Sequence, residues 1–312
     1  MKSNFLIIAS LVVLILVGCT GDDSGTTEKS PFIGGTNGIL LTFMDNFPPT
    51  EIFDGGEDPF DIMLNIENQG EFDIPAGDLI VTISGIQANS FGLTPGALTK
   101  RLDVTLEGKK KGSEGNTIPG SVDTIEFLNL NHMGALTGTM TFPLRADVSY
   151  LYGTTASAKL CYKTNLRLTE DAVCNVQGPK TVYNSGAPVQ VTDFEEYGKG
   201  SNSIGFRFKI KLLGNGDVCK YTLTECRNAA HKDQGEVYVR VVTNEAGLKC
   251  QGLNEGSTTE GFAGLYNGEA IVQCDQPAGN IQNDFEKPVD IFLKYRYSED
   301  LSTTLVVKHT PN

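Results

Sequence analysis

"FRFKIKL", residues 206–212, alternates without a break: Phe206, Phe208, Ile210 and Leu212 fall on one face, Arg207, Lys209 and Lys211 on the other. A period of two belongs to a strand, and one apolar face beside one charged face describes a strand that covers a core and meets water. The run is bounded by "NSIG" and "LLGNG", whose Gly and Asn are turn formers. The same grammar recurs outward in both directions. "GEVYVRVVT", "EAIVQC", "VDIFLKYRY" and "TTLVVKH" follow it; "GILLTFM", "FDIMLNIEN", "DLIVTISG", "SVDTIEFLNL" and "SAKLCYKT" precede it. With 35 Gly and 13 Pro to make turns, and only "TECRNAAHKDQ" as a possible short helix, the chain is expected to be all-β.

The two halves resemble each other. Tyr150-x-Tyr152 and Tyr295-x-Tyr297 each precede a polar, turn-like stretch and then a β-run, at an offset of 295 − 150 = 145. Gly70 in "ENQG" and Gly216 in "LGNG" close comparable strands at 216 − 70 = 146. Two landmarks at nearly one offset imply a duplication. "GPKTVYNSGAP", residues 178–188, reads as the boundary between the copies. The expected organisation is a first β-sandwich at 35–178 and a second at 186–312.

The amino-terminal end reads differently. One Lys precedes an apolar run from Phe5 to Val17, the length of a signal-peptide core and short for a membrane span. It ends in Leu16-Val17-Gly18-Cys19, the residue types a lipoprotein peptidase requires. This stretch resembles a bacterial or archaeal lipobox, which implies cleavage after residue 18 and lipidation of Cys19. "TGDDSGTTEKS" after it is polar and aperiodic, so residues 19–34 read as a flexible tether. Two acyl chains hold a protein at a bilayer where one is marginal. No other run approaches 18 apolar residues, so the remainder is expected to be soluble outside the cytoplasm.

The sandwiches, with "FDIMLNIENQG", "LCYKT…AVC", "GAPVQVT", "LLGNG" and the Tyr-x-Tyr endings, resemble immunoglobulin-like modules of the CARDB type. The whole is similar to two-domain envelope lipoproteins of archaea and bacteria. That resemblance names no activity; it implies modules that bind, space or adhere.

Charge narrows the partners. Lys plus Arg number 25 against 38 Asp plus Glu, a net −13; loss of Lys2 with the leader gives −14. Phosphate-rich partners are repelled, so no nucleic acid is expected. Lys109 to Lys111 form a basic triplet in a Gly-rich loop, read as a solvated tip. With Cys19 assigned to lipid, six cysteines remain: Cys161, Cys174, Cys219, Cys226, Cys250 and Cys274. An even number in an exported chain suggests disulfides. A hairpin brings Cys161 to Cys174. The second-half four allow three connectivities, of which 219–226 and 250–274 are expected from a tight loop and an antiparallel pair.

Signatures of chemistry are absent from the sequence. There is no G-x-S-x-G, no phosphate loop, and His132, His231 and His309 lie far apart without metal spacing. The acidic run holding Asp45, Glu51, Asp54, Glu57, Asp58 and Asp61 is the best cation candidate, yet its spacing is not that of an EF-hand and a solvated loop is the simpler reading. No enzyme and no cofactor are expected. The function expected is a lipid-anchored envelope protein with a structural, adhesive or partner-binding role toward an envelope protein or surface polymer. The alternative is a solute- or ion-capturing surface lipoprotein.

Overall fold

The computed structural model describes residues 29–167, 173–279 and 281–310; Cys19 and its lipobox lie outside them. The fold is all-β. In the first half run β1 (Ile39–Phe43), β2 (Phe60–Asn68), β3 (Leu79–Ser84), β4 (Thr99–Arg101), β5 (Val122–Leu130) and β6 (Met140–Tyr162). The second half carries β7 (Val189–Lys199), β8 (Ser203–Leu212), β9 (Asp217–Cys219), β10 (Glu236–Val242), β11 (Glu260–Gly264), β12 (Glu269–Pro277) and β13 (Phe285–Lys308). "FRFKIKL" lies in β8, with Phe206, Phe208 and Ile210 buried. The segment read as a short helix holds only a single-turn 3-10 element, His231–Asp233.

The duplication is visible strand by strand. β1-β2-β5 form one sheet and β7-β8-β12 the matching core of another. Between them runs a large sheet in the order β11-β10-β13-β6-β3-β4. β3 pairs with residues 145–150 of β6, and β10 with residues 290–294 of β13, the same relation at the 145-residue offset.

β6 and β13 carry the main departure from the sequence reading. The stretches after each Tyr-x-Tyr are not turns: β6 runs 23 residues and β13 runs 24, paired antiparallel from Phe285↔Tyr162 to Val307↔Met140. In that ladder Tyr150 lies opposite Tyr297 and Tyr152 opposite Tyr295. Each strand begins in its own half and ends in the other. The far end of β6 meets the second half, where the Thr154 hydroxyl donates to the Val189 carbonyl and Glu196 receives the Cys161 amide. The far end of β13 meets the first half, where Val306–Lys308 pair in parallel with Glu51–Phe53.

The expected division into domains 35–178 and 186–312 is therefore corrected. Residues 31–312 form one compact unit, and the buried side chains form one continuous cluster through both halves. Each sandwich borrows part of its second sheet from the other. The Gly/Pro-rich stretch 178–188 is not a free linker, because Tyr183–Asn184 pair with β6 and Gly178–Pro179 with β7.

The waist is tyrosine. Tyr150, Tyr152, Tyr295 and Tyr297 are buried in mutual ring contact at 5.6 to 6.4 Å. Buried hydroxyls need partners, and the duplication supplies equivalent ones. Tyr150 accepts the Ile39 amide at 3.2 Å and Tyr295 the Val189 amide at 3.3 Å. Tyr152 donates to Asn68 at 3.1 Å; Tyr297 accepts the Gly216 amide at 2.7 Å. A Cβ on Gly70 would lie well inside contact of the Tyr152 hydroxyl, and one on Gly216 inside contact of the Tyr297 ring. The two sequence landmarks thus touch each other in each half.

Candidate functional site

A recess of about 880 Å³ opens where the halves meet. Its floor is the outer face of the large sheet in its first-half portion. Strand alternation puts it there: Leu144, Ala146 and Val148 of β6 point into the core, leaving Arg145, Asp147 and Ser149 for the groove. β3 does the same with Ile80 and Thr82, and β13 contributes Ser298 and Asp300. The far wall comes from the second half, through β9, the loop to Arg227 and the hairpin around Gly268.

Arg296 fixes that wall. It stands opposite Leu151 at the centre of the β6–β13 ladder and is 4 % exposed. Its guanidinium donates to the Leu223 carbonyl at 2.7 Å on one side and to the Asp78 carbonyl at 2.7 Å on the other, with the Asp78 carboxylate at 3.3 Å. Burial lowers its pKa, opposed by Asp78. The Cys219–Cys226 bridge closes the same loop.

Inside the groove Asp147 is the hub. It receives Ser84 Oγ at 2.8 Å, pairs with Arg145 at 3.0 Å and also with Arg227. Desolvation raises its pKa, while Ser84 and Arg145 lower it and Asp300, its opposite number across the ladder, raises it further. Glu299, half-buried, accepts the Tyr150 hydroxyl at 3.1 Å and is pushed up to about 6 by burial. Thr82 with Thr99 at 3.1 Å, and Ser298 with Ser149 at 2.9 Å, add paired hydroxyls. The arrangement presents fixed donors and acceptors side by side.

The residues singled out in the sequence lie elsewhere, with one exception. Cysteines 161 and 174, 219 and 226, and 250 and 274 are joined, with Cα separations of 5.7, 5.4 and 4.0 Å. Only Cys226 lines the groove. Cys250 and Cys274 are directly opposed on neighbouring antiparallel strands. Cys161 is the last residue but one of β6, but Cys174 lies outside any strand, so that bridge is not the two-strand hairpin expected.

The acidic run does not converge. Asp54 is buried and receives the amides of Leu136 and Thr310 at 2.5 and 3.0 Å, with His309 Nδ1 at 2.9 Å; these hydrogen bonds hold its carboxyl well below the usual range. Asp58 accepts the Phe53 amide, Asp61 the Asn129 amide, and Glu51 pairs with Lys308. Asp45 and Glu57 are exposed. His132 is buried between Phe91 and Phe142, and His231 is exposed in the 3-10 turn. Lys110 and Lys111 form a two-residue ladder with Thr117–Ile118, and Lys110 bridges Glu107 and Asp73.

Fold and bridges together define a class: an all-β, immunoglobulin-like double sandwich, cross-linked for an oxidising, extracytoplasmic setting. No family model and no curated protein matches the chain. Among solved structures it is similar to envelope protein VP37 of White Spot Syndrome Virus, at 14 % identity over 47 % of this chain and 97 % of that one, with a TM-score of 0.24. It is also similar to the collagen binding domain of the Erysipelothrix rhusiopathiae surface protein RspB, at 11 % identity over 87 % and 91 %, with a TM-score of 0.13. Scores this low carry no argument about what this chain does.

Proposed function

We propose that this chain is a lipid-anchored cell-envelope protein whose fused double sandwich works as a rigid adhesive or partner-binding module, without catalysis of its own. The observation that carries the reading is the groove itself, a polar recess built jointly by two halves that share one core. A rigid frame loses little freedom when it binds, which favours contact made by preformed side chains. Anchoring rests on "LVGC" at residues 16–19, with Cys19 as the lipidated residue. The partner belongs to the envelope, as a protein or a surface polymer. Nucleic acid is disfavoured by the net charge of −13.

Two measurements test this. Cys19→Ala should leave the precursor unprocessed or release the protein from membranes, and mass spectrometry of the wild type should find acyl chains on Cys19. A wild type without lipid, or a variant still acylated, contradicts anchoring. Pull-downs from intact envelopes with wild type and with Arg227→Glu should differ in the partner captured; identical profiles contradict a role for the groove.

A further inference from the structure

Resting on the reading of the groove as the binding face, we infer that its ligand is an uncharged sugar chain. Three observations converge. The first is the pairing of groups. A sugar ring offers adjacent hydroxyls, each both donor and acceptor, and a guanidinium beside a carboxylate answers such a pair with a donor and an acceptor at matching spacing. Arg145, Asp147 and Arg227 form that unit, held by one another and by Ser84 rather than by any future ligand. They stand preorganised.

The second observation is at the rim. Leu265 and Gly268 line the groove, and between them a tight hairpin turn carries Tyr266, with Tyr266 bridged to Glu269 and both Asn267 (φ 52°) and Gly268 (φ 79°) in the left-handed region. That geometry is a rigid two-residue hairpin loop. Tyr266 is 82 % exposed, the most exposed of the large hydrophobic side chains described. An exposed ring on a stiff turn contributes little to the core, and the C–H face of a sugar is an apolar surface on which such a ring can lie.

Charge supplies the third. The lining has five carboxylates, Asp147, Asp217, Glu225, Glu299 and Asp300, against the guanidiniums of Arg101, Arg145 and Arg227. In a chain of net −13 this repels sulfated, phosphorylated or uronic polymers.

The test uses the full chain in detergent, titrated calorimetrically with the hexasaccharides of cellulose, chitin, mannan and amylose, with heparin hexasaccharide and oligolysine as charged probes. At least one neutral hexasaccharide should bind, with Kd raised about tenfold or more by Tyr266→Ala and by Asp147→Asn. Tyr266 is 82 % exposed, so a loss of binding in Tyr266→Ala is not a loss of folding. Binding of none of the neutral probes overturns the inference, as does binding that both variants leave unchanged or a preference for heparin or oligolysine. These outcomes are read without the membrane. An envelope partner captured in the pull-down together with no sugar binding rejects the ligand class and keeps the proposed function.

Discussion

Gly70 and Gly216 have no side chain because Tyr152 and Tyr297 occupy that space. Gly70→Ala should destabilise the protein by about 2 kcal/mol or more, read as a lower urea midpoint, since overpacking a tight site costs about 1 to 3 kcal/mol. Tyr152→Phe should cost about 1 to 3 kcal/mol by leaving the buried Asn68 acceptor with one bond fewer. Glu196 makes a claim about pH. Its side chain is fully buried, and desolvation pushes its pKa up to about 7 despite Lys180 at 3.0 Å. A raised folded pKa means that the native state holds the proton more tightly than the unfolded chain. The stability this gives is complete below the ordinary carboxyl range and is lost as pH rises through about 7. The loss is on the order of 3 kcal/mol. The urea midpoint should fall between pH 5 and 8 and fall less in Glu196→Gln; an equal slope in both contradicts the assignment. At this scale the sequence was informative about which residues matter. The Tyr-x-Tyr and Gly offsets were visible, but not that Tyr and Gly meet, because contact between distant strands leaves no trace in spacing.

Strand identity was largely legible, and strand length was not. "FRFKIKL" and its relatives declare themselves by alternation, whereas "YGTTAS" and "YSEDLSTT" have the composition of turns. They continue as strand because tertiary pairing overrides local preference: each has the other as partner, and Gly153 gives room to the Phe72 ring. The groove escaped the sequence for a related reason. Its charged residues come from several strands, such as Arg101, Arg145, Asp147 and Asp300, and from the loop carrying Glu225 and Arg227, and each alone looks like an ordinary solvated face. Exchange of strand ends makes a prediction about elements. Truncation after Asp300 removes only second-half residues, yet it should expose the first-half core where Leu305 and Val307 are buried. Amides of β2 and β5 should then lose hydrogen-exchange protection by orders of magnitude, more than those of β8 and β12. Retained protection in β2 and β5 would mean that the first sandwich closes without β13.

At the scale of the whole molecule, one core and one shared sheet imply one cooperative unit. Fragments ending at 178 or beginning at 186 each lack strands that the other supplies, so neither should fold alone, while the two mixed together should regain structure. The disulfides do not alter that expectation, since each bridge closes a loop within one half. A fused frame also explains how the groove can be shared: its floor and wall come from different halves yet cannot drift apart while Arg296 holds Leu223 and Asp78 together. The measurement that bears most directly on this is differential scanning calorimetry of the intact, oxidised chain. Exchange of β6 and β13 predicts a single transition whose calorimetric and van't Hoff enthalpies agree. Two resolved transitions, or a calorimetric enthalpy about twice the van't Hoff value, would show two independent sandwiches and contradict it.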